Sequence, residues 1–265
     1  MRPLLLALAL ALPAPAALAF SQEDVLRGDI RTGWQIDGGA HMTALHLTLA
    51  PGWKTYWRSP GDAGIPPNFD WTGSENLRAV TFHWPRPHVF ELNGMKTVGY
   101  HDELVLPIEV TPVDPAQPVR LKGSVDLGVC SDICIPASLA FDATVQGKGA
   151  PDALIAAALD DRPISAQKAG LSGIGCAVDP IADGLRITAS IQLPAAGGEE
   201  TVVFESASTG IWVSESEATR QGGTLTAAAD LVPPNGAPFA LDRSSVTVTV
   251  ISDARAVEIK GCPAP

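Results

Sequence analysis

The sequence predicts an all-β protein built of two β-sandwich domains joined by a short helical linker. Short segments alternate apolar and polar residues, and turn-forming residues are frequent, with 25 Gly and 23 Pro among 265 residues. One segment near the middle of the chain has helix-forming composition instead. Strands with a period of two, separated by turns, are typical of antiparallel sandwiches.

Residues 1–19 predict a secretory signal peptide. Arg2 precedes an apolar run over residues 4–12, and the small residues Ala17 and Ala19 fit a cleavage site before Phe20. The run is too short to cross a bilayer, and no later stretch reaches the ~18 apolar residues of a membrane helix. We therefore expect an exported mature chain with no membrane span. The alternative is an uncleaved membrane anchor.

The charge balance argues against nucleic acid as a partner. The chain has 18 Lys+Arg against 29 Asp+Glu, a formal net charge of −11, and lacks the basic clusters that bind a polyanion. A hydrophobic share of 46% is enough to form a packed core and is too high for a disordered chain. These numbers indicate a globular protein.

The first β-sandwich domain is expected over residues 20–147. Residues 44–49 and 119–127 alternate between apolar and polar side chains, and residues 104–110 form an apolar run of the kind found in a buried strand. Turn residues separate these segments.

A linker with a short helix is expected over residues 148–169. Residues 152–159 have helix-forming composition, and Asp152 is a suitable N-terminal cap. The strand pattern then returns, which predicts a second β-sandwich domain over residues 170–265. The segments with this pattern are residues 185–191, 201–205, 223–229 and 245–250.

Cys176 and Cys262 flank the strands of the second domain and suit a structural disulfide. The chain-entropy model assigns a loop of this length roughly 4.5 kcal/mol of stabilisation. Free thiols, or exchange with the other cysteine pair, are the alternatives, because connectivity does not follow from sequence.

Cys130 and Cys134 lie only four positions apart at the end of a predicted strand. So small a loop gains only about 2 kcal/mol from a disulfide, which strain easily cancels. A second thiol close by is suited to resolving a mixed disulfide formed by the first. The spacing favours a redox pair over a plain structural bridge or a metal site.

The metal alternative depends on the histidines, all of which lie in the first domain. Two thiolates and one imidazole could hold Cu(I) or zinc, although the histidines have no recognisable ligand spacing, and we predict neither a metal nor a cofactor. They are His41, His46, His83, His88 and His101.

Several separated motifs over residues 22–147 occur in the same order as in a known family. This part of the chain resembles the periplasmic N-terminal domain of the thiol:disulfide interchange protein DsbD, and most closely the subgroup found in the copper-sensitivity suppressor ScsB. The motifs are residues 51–62 (PGWKTYWRSPGD), Trp84, Phe90-Glu91, Gly94, Tyr100, residues 104–107 (LVLP), residues 128–130 (GVC) and residues 134–136 (CIP).

The resemblance implies an immunoglobulin-like sandwich that carries one reversible disulfide and passes electrons between proteins. Cys134 matches the cysteine that forms the mixed disulfide with partners, and Cys130 matches its resolving mate. Tyr56 matches an aromatic residue beside the pair. Phe90 matches an aromatic residue that covers the disulfide, with Glu91 as an acidic neighbour.

The resemblance also implies partners and a location. We expect a component of a protein-disulfide reductase system in the periplasm that reacts with thioredoxin-like proteins. Full-length relatives continue into a membrane-embedded electron carrier, which this sequence does not include. We therefore expect a separate membrane electron donor of the DsbD type. The relatives also separate their two cysteines by more residues than this chain does.

The surroundings of the pair predict that the pKa of the thiols is raised rather than lowered. Neither a helix N-terminus nor a cation is evident nearby, whereas Asp132 lies between the cysteines and Glu91 is a second expected anion. Two other functions are consistent with the sequence. One is a periplasmic copper-binding protein, linked to copper tolerance, that uses Cys130 and Cys134 with a histidine. The other is an assembly module with structural bridges only.

Overall fold

The computed structural model describes residues 21–92, 94–208 and 210–265. The predicted signal peptide at residues 1–19 lies outside the described residues. Within the described ranges, no helix has both the length and the apolar character needed to cross a bilayer.

The N-terminal half of the described chain folds into an antiparallel β-sandwich of two sheets. One sheet has the strand order β1-β2-β8-β5, and the other has the order β10-β9-β3-β7-β6, with β4 paired to β9. A short helix precedes them. The elements are α1 (Gln22–Val25), β1 (Leu26–Gln35), β2 (His41–Leu49), β3 (Lys54–Tyr56), β4 (Asn68–Asp70), β5 (Leu77–Phe82), β6 (His88–Leu92), β7 (Met95–His101), β8 (Glu103–Pro112), β9 (Val119–Cys130) and β10 (Cys134–Val145).

The core of this first sandwich forms where the alternating residues of the two sheets meet. Leu45 and Leu47 of β2 pack in one apolar cluster with Leu121 and Val129 of β9. Because side chains alternate across a strand, the even-numbered positions near the end of β9, including Cys130, lie on the opposite, outward face.

The linker helix α2 (Ala153–Asp160) covers the outer face of the first sheet. Asp152 caps it by accepting hydrogen bonds from two backbone N–H groups, and its carboxylate also pairs with Arg31. Ile155 is buried together with Ala44 and Val105, so the helix adds a second small core to the first sandwich.

The C-terminal half forms a second β-sandwich, antiparallel except for one parallel pair of strands, which confirms the predicted fold class. Its sheets have the orders β11-β19-β18-β14 and β12-β13-β17-β15, with β16 paired to β17, and apolar residues from both sheets fill the space between them. The strands are β11 (Ile164–Ser165), β12 (Gly173–Pro180), β13 (Leu185–Gln192), β14 (Thr201–Glu205), β15 (Trp212–Val213), β16 (Glu217–Gln221), β17 (Thr224–Val232), β18 (Thr247–Ile251) and β19 (Ala256–Lys260).

Candidate functional site

The candidate site is a disulfide that closes the hairpin between β9 and β10. Cys130 and Cys134 are direct partners in the strand register and are joined by a disulfide, with their Cα atoms 4.1 Å apart. The intervening turn is held by a hydrogen bond of 3.0 Å from the Ser131 N–H to the Ile133 carbonyl. The two sulfurs therefore lie at one end of the sheet, on its outward face.

The two cysteines differ in their access to solvent. Cys130 is 1% exposed, whereas Cys134 is an exposed residue. Ile133, at the tip of the same turn, is 65% exposed. A reagent or a protein that approaches the hairpin from outside therefore meets Cys134 first.

Tyr56 covers the buried sulfur. Its hydroxyl donates a hydrogen bond of 2.9 Å to Cys130 Sγ and lies 3.6 Å from Cys134 Sγ. Burial raises the pKa of the Tyr56 phenol, because the charged phenolate is poorly solvated there. The hydroxyl is consequently a protonated donor aimed at the position where negative charge develops when the disulfide opens.

Two glycines allow the strands and side chains around the disulfide to pack closely. A Cβ at Gly99, the register partner of Tyr56, would collide with the carbonyl oxygen of Thr55. A Cβ at Gly128 would overlap the Ile65 side chain and lie 3.1 Å from the Tyr56 ring. Ile65 is itself 44% exposed, so it extends the apolar surface beside the hairpin.

A cationic residue that the sequence did not reveal lies on the strand next to Cys130, with its ammonium directed toward β7 and β6. Lys54 is the register partner of Cys130 on the neighbouring strand β3. Its Nζ donates a hydrogen bond of 2.8 Å to Thr97 Oγ1 and lies 4.7 Å from the centroid of the Phe90 ring. Burial lowers the pKa of the Lys54 ammonium. Lys54 is 76 positions away from Cys130 in sequence, and only the strand pairing brings them together.

The remaining predicted site residues surround this centre at different distances. Phe90 packs against Lys54 and against His101, and its ring centroid lies 6.0 Å from that of His101. Two strands separate β6, which carries Phe90, from β9, which carries Cys130. Glu91 is exposed, is the register partner of Lys96, and by alternation faces away from Phe90. Asp132 is exposed in the turn.

The positions of the histidines bear on the alternative of a metal site. His88 and His101 have ring centroids 4.9 Å apart, whereas His46 pairs with Glu103 and His83 with Glu109. Among the residues that the structure describes, no three His, Cys, Asp or Glu side chains are grouped so that they could hold a metal ion.

The second disulfide lies inside the other sandwich. Cys176 of β12 is bonded to Cys262, which follows β19, so the bond joins the two sheets of that domain. Both residues are fully buried, and the Cys176 N–H donates a hydrogen bond of 2.7 Å to the Pro263 carbonyl. This environment contrasts with the exposed position of Cys134.

Arg58, two residues after Tyr56, connects the first sandwich to the second. Its guanidinium stacks on Trp57 at 4.4 Å and forms ion pairs of 2.8 Å with Glu205 and 2.7 Å with Glu258. Burial opposes the charged form of Glu258, but hydrogen bonds from Arg58 and Lys260 outweigh it, and the pKa of this carboxyl is lowered. A cleft of about 430 Å³ lies beside this contact.

The fold and the site together define the first sandwich as a thiol–disulfide interchange domain, with its disulfide at a solvent-facing hairpin. Residues 22–146 match the family model described as thiol:disulfide interchange protein DsbD, N-terminal. This match over the first sandwich confirms the resemblance that the motifs predicted.

The likeness to a solved structure extends over both sandwiches. The chain is similar to the crystal structure of the N-terminal periplasmic domain of ScsB from Proteus mirabilis, with a TM-score of 0.71 and 24% sequence identity. The match covers 93% of this chain and 96% of that one, so the two share their overall fold. No protein with a curated description matches the chain in sequence.

Proposed function

We propose that this protein is a periplasmic thiol–disulfide exchange component that relays electrons from a membrane donor to oxidised, thioredoxin-like proteins. The observation that carries the proposal is the asymmetry of the Cys130–Cys134 disulfide. One sulfur belongs to an exposed residue, and the other is buried under the Tyr56 hydroxyl. Such an arrangement suits an exchange reaction that begins at Cys134 and ends at Cys130.

In the forward reaction, the reduced pair transfers two electrons to the partner. The Cys134 thiolate attacks the partner's disulfide, so a mixed disulfide forms, the partner's bond breaks, and its second sulfur leaves as a thiolate that takes up a proton. The Cys130 thiolate then attacks Cys134 Sγ and expels the partner's first sulfur. The partner ends as a dithiol and the pair ends as a disulfide, which a dithiol of the membrane donor reduces by the same steps in reverse.

The surface around the pair supports a protein rather than a small molecule as the reaction partner. Ile133 and Ile65 are exposed apolar side chains beside the sulfurs. Exposed apolar groups next to a reactive centre are typical of docking surfaces. The second sandwich, tied to the first through Arg58, would then serve as a docking or spacing domain.

The primary test is the equilibrium of the pair against a series of glutathione buffers, followed by mass spectrometry of alkylated protein. We expect Cys130 and Cys134 to interconvert between thiols and disulfide, while the buried Cys176–Cys262 bond stays oxidised as the internal control. A Cys130–Cys134 bond that stays closed across the whole series would refute the exchange function.

The roles of the two cysteines are tested by trapping. Cys130→Ala should accumulate a mixed disulfide with a thioredoxin-like protein, because no thiol remains to resolve it, whereas Cys134→Ala should not. Trapping by the second variant alone would exchange the two roles. In a parallel measurement with and without chelator, stoichiometric Cu(I) held by both thiols, in place of a two-electron couple, would support the copper-binding alternative.

A further inference from the structure

We propose that Lys54 stabilises the thiolate that forms on Cys130 when the disulfide is opened. The proposal rests on the proposed exchange function and adds a residue to it. Lys54 acts through its positive charge as a positioning residue, and it is distinct from the two sulfurs that exchange bonds.

The strand register places Lys54 on the strand next to Cys130. Lys54 of β3 and Cys130 of β9 are direct partners, and the side chains of such pairs extend from Cβ atoms about 5 Å apart on the same face of the sheet. Lys54 Nζ also lies 5.9 Å from the ring centroid of Tyr56, whose hydroxyl contacts Cys130 Sγ. The ammonium itself extends toward Thr97 of β7 and Phe90 of β6, so its charge would act on Cys130 through space, past the Tyr56 ring, and without contact with the sulfur.

The charge on Lys54 is not neutralised by a carboxylate. Lys96 and Lys260 pair with Glu199 and Glu258, respectively, but none of the ion pairs among the described residues includes Lys54. A partly buried cation without a counter-ion favours any anion that forms beside it. The Cys130 thiolate is such an anion.

Other titratable groups also face this part of the sheet. They are Tyr56 on β3, His88 on β6, His101 on β7 and Asp132 in the turn. His101 is paired with Asp102. Asp132 opposes a thiolate, and the histidines favour one only when protonated. An experiment that changes Lys54 alone leaves all of these contributions in place.

The step that benefits is the reduction of the disulfide by its electron donor. The donor's thiolate attacks the exposed Cys134 Sγ, the new donor–Cys134 bond forms, and the Cys130–Cys134 bond breaks with its electron pair remaining on Cys130 Sγ. Tyr56 donates a hydrogen bond to that leaving thiolate, and Lys54 supplies positive potential. Exchange becomes faster as the pKa of the leaving thiol falls.

The test measures the pKa of Cys130 directly. In a Cys134→Ser background the only thiol is Cys130, and its ionisation is followed by the ultraviolet absorbance of the thiolate. Lys54→Gln retains a hydrogen-bond donor while removing the charge, and should raise the Cys130 midpoint by about half to one pH unit. Lys54→Arg retains the charge and should leave the midpoint close to the parent value. Lys122→Met removes a charge from the far end of β9 and is the matched control.

In the two-cysteine protein, Lys54→Gln should slow reduction by dithiothreitol about twofold to threefold, because a leaving thiol of higher pKa departs more slowly. Equal midpoints in Lys54→Gln and its parent would overturn the proposal. An equal rise in the Gln and Arg variants would also overturn it, because packing rather than charge would then be the cause. Failure of the exchange function itself would appear separately, as a parent disulfide that no glutathione buffer opens.

Discussion

Removal of the Cys176–Cys262 disulfide should destabilise the second sandwich strongly and selectively. The bond spans a sequence separation of 86 residues, for which the loss of loop-closure entropy in the unfolded chain corresponds to about 4.5 kcal/mol at 25 °C. Alanine at both positions avoids leaving buried free thiols. Because each 1.4 kcal/mol is a factor of ten in an equilibrium constant, the population of the opened domain should rise roughly a thousandfold.

Hydrogen exchange read by mass spectrometry measures this effect separately in each domain. Amides of β18 (Thr247–Ile251) should exchange roughly a thousandfold faster in the double-alanine variant, because they become exposed when the second sandwich opens. Amides of β8 (Glu103–Pro112), in the first sandwich, are the internal comparison. Their exchange rates should rise far less, because only a few residues of the second sandwich, among them Ile251 and Ala256, pack in the first core.

A matched variant tests the physical reasoning. Cys130→Ala with Cys134→Ala removes a bond with a sequence separation of only 4, for which the same model gives about 2 kcal/mol. Protection of the first sandwich should therefore fall much less. If the long-loop variant lost no more protection than the short-loop variant, the entropic argument would be refuted for this protein.

Three further changes have defined outcomes. Ile133→Ser should slow reduction of a thioredoxin-like protein about tenfold without changing the glutathione equilibrium, because it removes exposed apolar docking surface but no sulfur chemistry. Gly99→Ala should lower the free energy of unfolding by about 1–3 kcal/mol in urea titrations, because its Cβ meets the Thr55 carbonyl. The ion pair of Glu258 with Arg58 should stabilise the protein fully above the ordinary carboxyl pKa of 4.5, and this stabilisation should be lost as the pH falls through the lowered pKa of the folded state. Arg58→Met should reduce this pH dependence, measured as the change of the thermal unfolding midpoint with pH.

Each of these changes has a control. Ile133→Leu retains the apolar surface and should exchange at the parent rate, so an equal loss in the Leu and Ser variants would contradict a docking role. Gly173→Ala adds a Cβ whose nearest neighbour is 3.9 Å away, and a loss as large as that of Gly99→Ala would refute the steric explanation. An acid transition that is identical with and without Arg58 would exclude the ion pair as its cause.

The fold could be predicted from sequence because it depends on local patterns. The alternating residues 201–205 became strand β14 with the same bounds, and residues 104–110 lie within β8. Asp152 caps α2, as a short acceptor before a helix-forming run predicts. In each of these segments, local preference and tertiary packing favour the same structure.

Much of the site could not be predicted, because it depends on which strands are neighbours. Tyr56 was identified through its family resemblance, but its hydrogen bond to Cys130 is formed across a strand pairing that spans 74 positions. The same pairing makes Lys54 the register partner of Cys130, and no local spacing reveals it. No cation lies close to Cys130 along the sequence, and only the strand pairing shows that Lys54 is on the neighbouring strand.

The contact through Arg58 bears on how the protein can be dissected. A fragment cut after residue 147 would lose both carboxylate partners of this guanidinium and would retain Trp57 beneath it. Arg58 lies only two residues from Tyr56. The fragment would also lose the helix that shields Ala44 and Val105 from water. Redox measurements on such a shortened polypeptide would report on an altered neighbourhood, so comparisons between natural and truncated forms need the full chain as their reference.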